Sequence, residues 1–172
     1  SLTSGAATAE ELGATEFEGG LTVADKLQEQ TGVIGEKIEV AELATVNAAY
    51  VASYIHMGNK IGTLVGLTAE AAEAGRDVAM QAAAMNPVAL NRDAVSQEVI
   101  DRELEVGKEL ARQEGKPEEM LEKIATGRLN KFFKENTLVD QAFIKDGKMS
   151  VAKYLTSVQA GLEVVDFKRV SL

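Results

Sequence analysis

The chain has 172 residues, room for one domain or two small ones, and its 18 basic and 27 acidic residues give a net charge of −9. That balance argues against DNA, RNA or an anionic membrane as a general partner, because phosphate binding draws on clustered Lys and Arg. With no Cys and a single His, His56, the sequence excludes disulfides, thiolate nucleophiles, Cys-based zinc sites and a His–His metal pair within one chain.

No apolar run approaches the roughly 18 residues of a membrane span, and no basic segment precedes an apolar one as in a secretory leader. A soluble, cytoplasmic protein is expected. The opening Ser1-Leu2-Thr3-Ser4-Gly5-Ala6-Ala7 begins without Met, which suggests a piece of a longer protein. Thr8-Ala9-Glu10-Glu11 reads as a capping box opening a short helix before Gly13. Thr22 starts a second helix, with Val23 and Leu27, that the sequence ends at Thr31-Gly32. Lys37-Ile38-Glu39-Val40 alternates charged and apolar residues, the period of a strand. Tyr50 to His56, the turn Met57-Gly58-Asn59, and Lys60 to Leu67 read as an antiparallel hairpin. Residues 69–86 form an Ala-rich helix, stopped by Asn86-Pro87, whose small face permits close approach to a sheet.

The segment 93–135 is distinct: 19 of its 43 residues are charged, so its helices must expose most of their surface. It reads as a helical hairpin over 94–134. Val95, Val99, Val106 and Leu110 form one stripe, with Ile100, Leu104 and Ala111 beside it. Gly115-Lys116-Pro117 makes the turn, with Gly suited to C′ and Pro to N1. Leu121, Ile124, Ala125, Leu129 and Phe132 mark the second helix. Gly107 and Gly127 inside these helices are each either a close crossing or a tolerated surface glycine. Two helices of about 18 residues are each about 27 Å long, so the pair is read as a protruding arm with an apolar seam. Ser150 caps a short helix bearing Val151, Leu155 and Val158, Gly161 breaks it, and Leu162 to Val170 is a last strand. Strands before and after the arm predict an α+β fold: a small antiparallel sheet packed on helices, with an inserted antiparallel helical hairpin.

No phosphate loop, dinucleotide fingerprint or His-Glu-x-x-His occurs. Gly58, Gly62 and Gly66 are turn or strand glycines. Ser53 and His56, three apart on a strand, face opposite sides. No constellation suits acid–base or nucleophilic work, so no catalytic residue, metal or cofactor is assigned, and a protein acting through its surface is expected.

Several blocks taken in order carry a resemblance. They are Val33-Ile34-Gly35-Glu36-Lys37-Ile38; Ser53-Tyr54-Ile55-His56 with Lys60-Ile61-Gly62-Thr63-Leu64-Val65; and Asp77-Val78-Ala79-Met80-Gln81 with Ala83-Ala84-Met85-Asn86-Pro87. Then come Gly115-Lys116-Pro117-Glu118; Ala125-Thr126-Gly127-Arg128-Leu129 with Lys131-Phe132-Phe133-Lys134-Glu135; and Leu138 to Ile144. Together they resemble bacterial elongation factor Ts. Lys37 stands where that family has Asn, and Ala142 where it has Pro. The family's small N-terminal helical domain and its Thr-Asp-Phe-Val loop have no counterpart in this sequence.

The resemblance implies a guanine-nucleotide exchange factor that promotes GDP release from elongation factor Tu. It implies Tu-binding roles for Ile34, Gly35, His56, Phe143 and Ile144. It also makes the helical hairpin a dimerisation arm, through Val99, Val106, Leu110, Leu121, Ile124 and Phe132. The implied division is a partial N-terminal core subdomain over 1–49, a C-terminal core subdomain over 50–92 and 136–172, and the inserted arm over 93–135. Lacking the Phe of the missing loop, the chain is expected to bind Tu weakly. The alternative is a structural dimerisation module with little Tu binding of its own.

Overall fold

The computed structural model describes residues 5–172, so Ser1 to Ser4 of the opening segment lie outside the described residues. The chain forms two compact units, divided between Thr45 and Val46.

The first unit holds α1 (Ala9–Gly13) and α2 (Val23–Ile34). Thr8 caps α1 by accepting from the Glu11 N–H at 3.1 Å, but the Glu11 carboxylate reaches back to the Ala7 N–H rather than that of Thr8. At α2 the box is complete: Thr22 Oγ1 accepts from the Asp25 N–H, and Asp25 Oδ2 accepts from the Thr22 N–H. The Thr22 hydroxyl also donates to Asp25 Oδ2 at 2.7 Å, and this bond, with that of the Thr22 N–H, holds the Asp25 carboxyl below its usual range. The helix runs past Thr31-Gly32, where the sequence places its end, because Gly32 does not take the left-handed conformation that stops a helix. Gly35 does, with φ of 79°, three residues later.

Lys37–Val40 is not a strand. Ile38 and Val40 are half-buried while Lys37 and Glu39 are exposed, so the alternation is real. A ladder also needs a neighbouring backbone, and none among the described residues pairs with this stretch.

In the second unit β1 (Tyr50–Ile55) and β2 (Ile61–Leu67) pair antiparallel, from Tyr50↔Leu67 to Ile55↔Gly62. The last strand, β5 (Val164–Ser171), pairs antiparallel with the other edge of β2, giving the order β1-β2-β5. Helix α3 (Ala72–Met85) covers one face of this sheet. Its contact side is Ala74, Gly75, Val78, Ala79 and Ala82, all buried. The approach is so close that a Cβ built on Gly75 would lie 2.6 Å from the Ala52 Cβ. Asn86, with φ of 44°, caps the helix before Pro87. Val65, Leu67, Leu138, Phe143, Val151, Leu155, Leu162 and Val164 complete the core. Burying each of its leucines contributes roughly 1.5–3 kcal/mol.

Between Ala89 and Thr137, which form a parallel bridge, the chain makes the helical hairpin: α4 (Gln97–Gln113) and α5 (Glu118–Asn136). The two helices pack mainly on each other. Ser96 caps α4. Gly115 takes φ of 72° in the turn, but Pro117 is the N-cap of α5 rather than its first helical residue.

The seam differs from the stripe expected. Gly107, Ala111, Leu121 and Ala125 are buried, whereas Val106 and Leu110 are exposed. Small residues win the interface because they let the axes approach: a Cβ on Gly107 would meet the Ala125 Cα at 3.0 Å. Gly107 is thus the close crossing, and Gly127, with nothing within 4 Å of a Cβ, is the surface glycine.

A second hairpin, unpredicted, follows the arm: β3 (Ala142–Phe143) and β4 (Asp146–Ser150). Ser150 then caps α6 (Val151–Val158), and Gly161, with φ of 77°, precedes β5. The fold class is α+β, as the sequence predicts.

Candidate functional site

His56 follows β1 at the mouth of the β1–β2 turn, fixed through its main chain by a 2.9 Å bond from its N–H to the Ile61 carbonyl. Its ring is exposed, and its partner is Tyr54 rather than Ser53: the Tyr54 hydroxyl lies 3.2 Å from Nδ1. When that hydroxyl donates, the imidazole carries its proton on Nε2 and directs it outward. Ile34 and Gly35 end α2 in the first unit, where Ile34 and its neighbour Val33 are among the most exposed large apolar side chains.

Phe143 and Ile144 are adjacent but opposite in role. Phe143 is 3 % exposed, its ring stacked on Tyr154 at 4.0 Å and 14°, so the ring is not presented to a partner as the resemblance implies. Ile144, 41 % exposed, is the one that offers a surface. A polar cluster built around the buried Asp77 and Gln81 adjoins them. Lys145 Nζ reaches Asp77 Oδ1 at 2.6 Å, and the Tyr154 hydroxyl donates to Asp77 Oδ2 at 2.9 Å. Burial and the Asp77 carboxylate push the Tyr154 phenol up to about 12. Gln81, one turn on from Asp77 along α3, bonds to the backbone around Phe143. Sequence reasoning missed this cluster, although Asp77 and Gln81 are polar residues spaced i, i+4 on an otherwise apolar helix face.

The arm residues divide into three groups. At its base Val99 and Phe132 pack on a cluster of Ala89, Val95 and Phe133, pinned by Arg92, which lies 5.4 Å over the Phe133 ring and bonds Asp140 at 3.1 Å. Toward the turn end Leu121 is buried in the seam and Ile124 half-buried. On its outer side Val106 and Leu110 border an open groove of about 350 Å³ with Glu105, Glu109 and Arg112. Lys108–Glu122 at 3.0 Å and Arg112–Glu118 at 3.1 Å tie the helices across the turn end. Such exposed pairs contribute little individually. Among the described residues no group of three or more His, Cys, Asp or Glu could hold a metal ion, and no helix is long and apolar enough to cross a membrane.

A protein-family model, Elongation factor TS, matches residues 1–172. The chain belongs to the elongation factor Ts family. The elongation factor Ts of Christiangramia forsetii is 59 % identical over 156 residues, covering 89 % of this chain and 57 % of that protein. That of Flavobacterium psychrophilum is 55 % identical over 166 residues (95 % and 60 %), and that of Thermobifida fusca 42 % over 159 residues (90 % and 56 %). The chain therefore spans less than two thirds of the length of these elongation factor Ts relatives.

Proposed function

We propose that the chain acts in translation elongation, in the cytoplasm, as part of a guanine-nucleotide exchange factor that promotes GDP release from elongation factor Tu. The observation that carries this reading is the family match over the whole chain. The exposure of Ile34, His56 and Ile144, three of the residues assigned to Tu contact, supports it. The mechanism is coupling rather than bond chemistry. A factor that binds nucleotide-free Tu better than GDP-bound Tu must, by linkage, weaken GDP by the same factor. Ile34 and Gly35 serve the nucleotide domain of Tu, and His56 and Ile144 its other domains. Phe143 serves by anchoring Ile144 from below. Release of labelled GDP from Tu in a stopped flow tests this: the chain, whose given residues hold no Thr-Asp-Phe-Val, should accelerate release weakly. No capture of Tu, with or without GDP, would overturn the reading.

The exposed Val106 and Leu110 favour a second reading, a dimerisation module working through the arm. Light scattering together with Tu capture separates the two, since a dimer that ignores Tu favours the module.

A further inference from the structure

Gln81 and Gln141 are among the most deeply buried side chains in the molecule, at 0 % and 1 % exposed. Burying an amide is costly unless its donors and acceptor are met. Here the amides meet each other and the backbone of two separate segments, the β3 edge and the end of α5. Gln81 Oε1 accepts from the Ile144 N–H at 2.8 Å. Gln81 Nε2 donates to the Ala142 carbonyl and to Gln141 Oε1, both at 3.1 Å. Gln141 Nε2 in turn donates to the Glu135 carbonyl, in the last turn of α5, at 3.0 Å. Ile144 supplies a donor and Ala142 an acceptor, so the orientation of the Gln81 amide is dictated rather than free.

A leucine would fill similar volume without direction, whereas a chain of two amides fixes where the β3–β4 edge sits relative to α3 and to the base of the arm. The ion pair of Lys145 with Asp77 is a second tether on the same edge, one residue beyond Ile144. We propose that Gln81 and Gln141 are positioning residues of the partner-binding surface: their relay holds the exposed Ile144 in fixed register with the arm. This rests on the reading that Ile144 faces Tu, and it adds residues that touch no partner themselves.

The test is a double-mutant cycle on the affinity for nucleotide-free Tu, read by titration calorimetry with the full chain. Ile144→Ala and Gln81→Ala should each weaken binding on the order of tenfold. The double variant should be scarcely weaker than Gln81→Ala alone, because a mispositioned Ile144 has little left to lose. Gln81→Ala combined with His56→Ala, on the other hairpin, should multiply. Losses that multiply for Gln81 and Ile144 would overturn the proposal. So would a Gln81→Ala chain that melts earlier yet binds Tu unchanged. If Gln81→Ala fails to fold, Lys145→Met, at a half-exposed side chain, tests the same edge. It should cost about threefold in affinity, with Lys145→Arg restoring it, and an unchanged affinity would count against positioning. A native chain that does not bind Tu overturns the proposed function and this extension together, whereas multiplicative losses in a chain that binds overturn the extension alone.

Discussion

The Tyr154 hydroxyl donates to a carboxylate that is itself nearly sealed from water, and its ring lies flat on Phe143. The phenol is raised from 10.0 to about 12, so the folded state holds this proton more tightly than the unfolded chain does. The stabilisation is complete below pH 10 and is lost as pH rises from there toward about 12. Absorbance titration at alkaline pH should show one of the three tyrosines ionising near that upper limit. Tyr154→Phe should remove that step and flatten the alkaline loss of stability. Residues of this kind are hard to see in advance. Asp77 and Gln81 sit within a run of alanines whose helix was plain from composition, but their partners Lys145, Tyr154, Gln141 and Ile144 are 60 to 77 positions away. Only the folded chain shows that the two polar side chains are satisfied. His56 was legible as a turn residue because glycine chemistry follows it at once. Its link to Tyr54 spans the i, i+2 spacing that puts two side chains on one face of a strand.

At the scale of elements, the arm separates what periodicity can say from what packing decides. The apolar spacing located both helices and their turn within a few residues. It did not say which stripe faces inward, because α4 carries two adjacent stripes about 100° apart. The one bearing Gly107 and Ala111 packs, and the one bearing Val106 and Leu110 is left outside. The two glycines test this. Gly127→Ala should raise stability by up to about 1 kcal/mol, since it gains helix propensity and meets nothing. Gly107→Ala should forfeit that gain and destabilise, because the Ala125 backbone cannot yield without parting the helices. Urea midpoints of the two variants should therefore move in opposite directions. On the dimerisation reading, Val106→Asp or Leu110→Asp should leave the melting temperature nearly unchanged, both side chains being exposed, while weakening self-association. Unchanged dimer mass by light scattering at micromolar concentration would count against the arm as a contact. The β3–β4 hairpin escaped prediction for another reason. A two-residue strand with a shifted register has too little period to show in a sequence.

For the molecule as a whole, the two units differ in how much they bury. The core of the second is built from residues between Val65 and Val164. No described residue of the first is fully buried. Residues 46–172 alone should unfold cooperatively, and residues 1–45 alone should show little helix by circular dichroism; a non-cooperative melt of 46–172 would contradict this. The fold class was readable because strand-forming runs flank the arm, and a chain that leaves a sheet and comes back must pair its two halves. The units divide between Thr45 and Val46, and the resemblance draws its subdomain boundary at 49/50, where the strand-forming run from Tyr50 begins.

The bridge between Ala89 and Thr137 brings the departure and return of the arm side by side. It is stitched by bonds from the Val88 N–H to the Asn136 carbonyl, from the Leu138 N–H to the Ala89 carbonyl, and from the Val139 N–H to the Leu90 carbonyl. An excursion whose ends coincide can be lengthened, trimmed to a tight loop or exchanged for another without re-threading the sheet beneath it. The arm is thus a free parameter of this architecture, open to remodelling while the scaffold stays as it is.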